Sequence, residues 1–145
     1  MKYLLIVVIS ISMLKACSQE PNEQDLKTLT YTASTRGYYF KVLVDSTTVY
    51  VLTDREGNNM RKALLKPEDW QELNKLLKTV SLKELDKLMA PSEGRVVDRA
   101  AIASLKVKLS DEEYESLPFD HGNPPIEIKA LIDKILQLSE SVERQ

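Results

Sequence analysis

Two short runs with a period of two constrain the fold most. Tyr38 to Val44 (YYFKVLV) puts Tyr38, Phe40, Val42 and Val44 on one face, and Tyr39, Lys41 and Leu43 on the other. Thr47 to Thr53 (TTVYVLT) sets Val49 and Val51 opposite Tyr50 and Leu52. Such alternation suits strands with one face buried and the other wet. Only Asp45-Ser46 separates the runs, so a tight turn must join them as an antiparallel hairpin. Leu29 to Ser34 (LTYTAS), rich in Thr and Tyr, reads as a strand before the hairpin, with a turn at Thr35-Arg36-Gly37. Met60 to Leu65 supplies a fourth strand after the polar loop Asp54–Asn58, where Gly57 is available for positive φ. The four form a meander.

The period then changes. Pro67 suits a first helical position, and Glu68 and Asp69 complement the positive end of a helix dipole. Trp70, Leu73, Leu77 and Val80 recur at helical spacing, with Leu76 beside them, and this stripe is expected to pack on the sheet. Trp70 reads as a core anchor. Ser81-Leu82-Lys83-Glu84 has the form of a capping box and starts a second short helix, with Leu85, Leu88 and Met89 as its apolar edge. Ser92 to Arg99 is a charged loop. Ala100 to Leu109 alternates again, and its inward Ala101 and Ala103 leave room for a helix to approach. Glu113 to Leu117 returns as a polar edge strand protected by its charges. Asn123 is placed to cap a last helix with Pro124 at its first position; Ile128, Leu131, Ile132, Ile135 and Leu138 form its stripe, and the tail from Ser139 is expected to fray. The order is ββββ-αα-ββ-α. Strand runs followed by helices give an α+β fold, an antiparallel sheet (meander plus C-terminal hairpin) with helices packed on one face.

The N-terminus has a different character. Met1-Lys2-Tyr3 is a short basic start, and Leu4 to Leu14 is apolar apart from Ser10 and Ser12. That run is too short for a hydrocarbon core, which needs about 20 residues, and matches the apolar region of a secretory signal peptide. Cys17 is the only cysteine, so no disulfide can form within the chain. Leu14, Ala16 and Cys17 resemble the lipobox of bacterial lipoproteins: an apolar residue three before the cleavage point, a small residue before it, and the acceptor cysteine. Lys15 departs from the usual residue. The resemblance implies cleavage between Ala16 and Cys17, acylation of Cys17 with palmitate among its chains, and attachment to the cell envelope. Ser18, in place of Asp, resembles the outer-membrane sorting pattern, so the expected place is the outer membrane, on its periplasmic face or at the surface. Glu20, Glu23 and Asp25 match a surface-export signal of some Bacteroidetes lipoproteins only loosely, and a solvated acidic tether reads them equally well. The organisation is then a signal peptide at 1–16, the lipidated cysteine and a flexible tether at 17–27, and a single α+β domain at 28–145. The layout of that domain is also similar to small uncharacterised bacterial (Bacteroidetes-type) lipoprotein domains, and this similarity carries over no activity.

Removing residues 1–16 from the 145 leaves 129, enough for one core. Lys2 and Lys15 leave with the signal, so 18 basic and 22 acidic side chains give the mature chain a net charge of about −4. Nothing in that balance favours nucleic acid. The membrane is reached through lipid on Cys17, and no basic cluster is needed to hold it there.

The candidates for chemistry are few. His121 is the only histidine and follows Asp120, so a general base held by a carboxylate can be drawn; adjacent residues in an extended loop, however, point apart. Arg36 beside Gly37, Tyr38 and Tyr39 sets a cation near aromatics, a corner suited to a carboxylate or a sugar. Asp54, Glu56 and Asn58 alternate like calcium ligands, but the terminal Glu of a twelve-residue loop is lacking. No metal or cofactor is expected. Three readings stand: a non-catalytic envelope domain that binds a partner protein or ligand, a small hydrolase using Asp120 and His121 with Arg36 or Arg99, and an inhibitor or immunity-type protein. The residue set favours the first, with Arg36, Tyr38, Asp120 and His121 as candidate binding residues and an envelope protein as candidate partner.

Overall fold

The computed structural model describes residues 25–144. Signal peptide, lipobox and most of the expected tether lie outside the described residues. The expected α+β architecture is present. β1 (Leu26–Ser34), β2 (Tyr39–Val44), β3 (Thr48–Leu52) and β4 (Met60–Leu64) form the meander, α1 is Pro67–Leu77, β5 is Ile102–Leu109, β6 is Glu113–Glu115, β7 is Phe119–Asp120 and α2 is Ile126–Glu143. The strand order is β4-β3-β2-β1-β5-β6, with β7 also on β5, and every pairing is antiparallel.

Register explains which side chains are buried. Tyr31 of β1 stands opposite Val42 on one side and Leu105 on the other, and Leu29 stands between Val44 and Val107. Val42 and Val44 pair with Val51 and Val49. All of these side chains are buried, and so are Ala33 and Ala103, which face each other across the same pair of strands. Thr28, Thr30, Thr32, Lys41, Leu43 and Tyr50 point the other way and stay partly exposed. The helices therefore cover one face only. Leu73 and Leu77 of α1, and Ile128, Leu131, Ile132 and Ile135 of α2, complete the core against the buried face. At about 25 cal/mol per Å2 of apolar surface, this burial is the main term holding the layers together.

Six details depart from the sequence reading. β1 begins at Leu26, which is buried, three residues before the strand expected from Leu29. The segment after Ser81 is a 3-10 helix, Leu82–Lys87, and the Ser81 side chain caps nothing. Three residues per turn stack Leu82 and Leu85 on the core, while Met89 is 79% exposed. Asn123 does not cap α2: Pro125 holds that position without a side-chain bond, and the Asn123 amide donates to Ser92 Oγ at 2.7 Å. The C-terminus does not fray at Ser139. α2 continues to Glu143 because Ser139 and Val142 extend the buried stripe by a further turn, and Arg61 Nη1 of β4 donates to the Glu143 carbonyl at 3.2 Å. At Ala103 the close neighbour is β7: Ala103 pairs with Phe119, whose ring lies 6.2 Å from that of Tyr31. Trp70 packs only partly against the core.

One ion-pair cluster joins the helices. Lys134 of α2, 11% exposed, reaches Asp69 at 2.7 Å and Glu72 at 2.6 Å on α1. Burial works against its charge, but hydrogen bonds to Asp69 and Glu72 outweigh it and hold the ammonium above its ordinary pKa. Lys134→Met is expected to lower stability by about 2 kcal/mol in urea denaturation, because it strands two acids beside an apolar side chain. The strand signature in circular dichroism should not change.

Candidate functional site

β1 is nine residues long and runs about 27 Å from one end of the sheet to the other. Asp25 stands at its start. At the far end lie the Thr35–Tyr38 turn, the start of β5, β7 and the loop that follows β7. The four sequence candidates Arg36, Tyr38, Asp120 and His121 all belong to that far end. The structure brings two of them together and separates the others.

Phe119 and Asp120 pair with Ala103 and Ile102, so β7 is pinned to the sheet at two residues. Phe119 fills the core, and the Asp120 side chain, 6% exposed, turns to the loop 92–95. One oxygen accepts from Ser92 Oγ at 2.6 Å and from the Gly94 N–H at 2.7 Å. The other accepts from the Arg95 N–H at 2.9 Å and from Arg95 Nη1 at 3.3 Å. Arg95 Nη1 also reaches the Ser92 carbonyl at 2.5 Å. The Ser92 hydroxyl and these N–H donors outweigh burial and bring the Asp120 carboxyl down to about 2. Gly94 is needed here for room, since a Cβ would sit 3.0 Å from Asp120 Oδ2.

His121 faces the other way. Its N–H donates to the Ala101 carbonyl at 2.9 Å, and Gly122 turns the chain with φ of 84°. Its Nδ1 lies 2.7 Å from Tyr31 Oη. Burial pushes the Tyr31 phenol far up, despite an opposing hydrogen bond from the Gly122 backbone, so the phenol stays protonated. Burial also lowers the His121 pKa. A neutral phenol and a neutral imidazole share this hydrogen bond, and the ring tautomer decides which of them donates. The imidazole lies among Tyr31, Tyr38 and Phe40, with ring centroids at 5.9, 6.0 and 6.2 Å. A general base held by a carboxylate is not what this geometry makes. The Asp120 oxygens are engaged with Ser92, Gly94 and Arg95, and the histidine nitrogen that a carboxylate orients is taken by Tyr31.

Arg36 is exposed, and among the described residues no hydrogen bond or ion pair ties its side chain to this cluster. The cation at the aromatic corner is Arg55, which donates to the Thr35 carbonyl at 2.7 Å and lies 5.2 Å over the Tyr39 ring. Sequence reading missed it because twenty residues separate Arg55 from Thr35. Asp54 accepts the N–H groups of Asn58 at 2.9 Å and Asn59 at 2.5 Å, so it holds its own loop. Among the described residues no group of three or more His, Cys, Asp or Glu side chains is placed to hold a metal, and no helix is long and apolar enough to cross a membrane. Among the described residues, the clefts lined by Trp70 and Lys78, by Val80 and Leu109, by Asn59 and Glu143, and by Asp86 and Glu115 include neither Asp120 nor His121 in their walls. What the far end offers is side chains without cover: Val96 is 69% exposed, Val97 60%, Ile102 50% and Tyr38 43%. Comparison with known proteins gave no match to a family model, to a curated protein or to a solved structure.

Two outcomes test this geometry. The Asp120 carboxyl is below its unfolded value of 3.8, so its stabilisation is fully present above about pH 4 and is lost as the pH falls toward 2. Asp120→Asn should melt at a lower temperature at pH 7 and show a shallower loss of stability between pH 4 and 2. Gly94→Ala should act through the same contact, so the double variant should melt well above the temperature expected from adding the two effects. For His121 the imidazole should titrate below its ordinary 6.5 when followed by NMR. The neutral form favours folding, so its stabilisation is complete above pH 6.5 and declines below it; His121→Phe should lack that decline.

Proposed function

We propose that the chain is a lipid-anchored protein of the bacterial cell envelope, and that its domain binds a partner and catalyses no reaction. The observation that carries the anchor is Cys17, the only cysteine, standing after an apolar run with Leu14 and Ala16 at lipobox spacing. Supporting the binding reading are Asp120 and His121, the residues best suited to acid–base work. Both are committed to hydrogen bonds that hold loops in place. The binding surface is then the end of the sheet away from Asp25, where Tyr38, Val96, Val97 and Ile102 are exposed around those loops. Val96 and Val97 on the 3-10 turn Gly94–Val97, with Ile102 and Tyr38, are exposed apolar side chains that a protein partner can cover. An outer-membrane site follows from Ser18 after the cysteine.

Cys17→Ala should accumulate as an uncleaved precursor that takes up no alkyne-labelled palmitate, whereas the wild type is labelled and shortened. Normal maturation of the variant would end the lipoprotein reading. Crosslinked envelopes carrying the tagged protein should yield one enriched envelope protein by mass spectrometry. That enrichment should be lost in Val97→Asp at unchanged melting temperature.

A further inference from the structure

We infer that the exposed side of α1 carrying Trp70, Lys75 and Lys78 docks on the phospholipid headgroups of the membrane to which Cys17 holds the chain; this rests on the anchoring reading above. Eight residue steps separate Cys17 from Asp25, and even fully extended they span at most about 29 Å. Asp25 lies in a cleft whose other walls include Trp70, Gln71, Lys75 and Lys78. The anchor therefore keeps this end of the domain near the bilayer, while the end bearing His121 lies about 27 Å further along β1.

The chemistry of this surface suits headgroups. Leu73 and Leu77 take the inward side of α1, which leaves Gln71, Lys75 and Lys78 exposed and Trp70 at the border. A tryptophan with one apolar side and a polar N–H belongs at the level of headgroups, and lysines beside it meet phosphate. The local acids are occupied. Asp25, the one acid of the cleft, is 2.7 Å from Lys27 Nζ and 2.6 Å from Ser110 Oγ. Asp69 and Glu72 are bound by Lys134. Glu68 stands seven residues before Lys75, about 10 Å along the helix. Among the described residues neither Lys75 nor Lys78 makes an ion pair, so this side of α1 presents two lysines whose charge is not committed to a described acid. A surface held so close to its target needs little intrinsic affinity, because the tether supplies the local concentration.

Trp70 is the only tryptophan, so its emission reports directly on contact. The mature lipidated protein is reconstituted into phosphatidylcholine vesicles containing phosphatidylglycerol, with and without headgroup-nitroxide lipid, and flotation is measured alongside fluorescence. Docking is expected to quench Trp70. Lys75→Glu with Lys78→Glu should weaken contact by at least about fivefold for each charge altered, with flotation and melting temperature unchanged. Both positions are exposed, so the fold is not at stake. Complete flotation with unquenched Trp70 would mean a domain anchored but not docked and would overturn the inference alone. Quenching of equal strength in the double variant would overturn the role of the lysines. Failure of the wild-type protein to carry lipid or to float would overturn the anchoring reading and the inference with it.

Discussion

The pairing of β1 with β5 is the constraint on which the rest depends. It joins residues 68 to 83 positions apart along eight register partners, from Leu26 with Leu109 to Ser34 with Ile102. Every local unit needs it. The meander of β1 to β4 buries one face only where helices reach it, and the hairpin of β5 with β6 is three pairs long and marginal alone. Once β1 lies between β2 and β5, Tyr31 has a valine and a leucine as its cross-strand neighbours, and no described side-chain polar atom is buried without a partner. This long-range closure has an entropic cost that grows only slowly with loop length, so the long excursion through α1 and the charged loop is tolerated.

Asp120 and His121 carry that pairing into the loops. They are neighbours in the chain, yet their side chains serve opposite sides of one short strand. Asp120 gathers four donors from residues 92–95, while His121 takes the hydroxyl of Tyr31 from the centre of the sheet. Asn123 then bonds back to Ser92, so the chain leading into α2 is tied to the same cluster. The two residues that most resemble catalytic machinery in the sequence are the ones whose hydrogen bonds tie the loops of this end together. A buried carboxylate with four donors is stable because its charge is matched by hydrogen bonds that water would otherwise supply.

The elements of the fold were legible wherever period decided the outcome. The alternation in YYFKVLV and TTVYVLT, and the stripe from Trp70 to Val80, mark faces that the core uses. Local chemistry was less reliable where a distant residue competed for a side chain. Asn123 looks like a cap, but Ser92 takes its amide. Ser81 looks like a cap, but the following turn tightens to 3-10 geometry and leaves Ser81 unused. The end of α2 looked ready to fray because Ser139 breaks the apolar stripe, yet Val142 resumes it and β4 holds the last carbonyl. The candidate site was legible as a set of residues and not as an arrangement. Nothing in the order Asp120-His121 reveals that Gly94 and Tyr31 are their partners, since those partners lie 26 and 90 positions away.

The two ends of the sheet differ in what their side chains are free to do. At the Asp25 end the exposed groups include Lys75 and Lys78, long and flexible side chains on a helix, with the half-buried Trp70 beside them. At the His121 end the exposed groups are Val96 and Val97 on the 3-10 turn Gly94–Val97, Ile102 at the start of β5 and Tyr38 just before β2, short or stiff side chains beside the Asp120 cluster and the Tyr31 hydroxyl. Side chains with few rotamers on a fixed backbone lose little entropy on contact, so a modest apolar area retains more of its binding free energy. On the reading of an anchored binding domain, this division of labour follows from the fold itself. On that reading β1 sets the distance between an α1 turned to the bilayer and loops, tied by Asp120 and His121, that meet a partner.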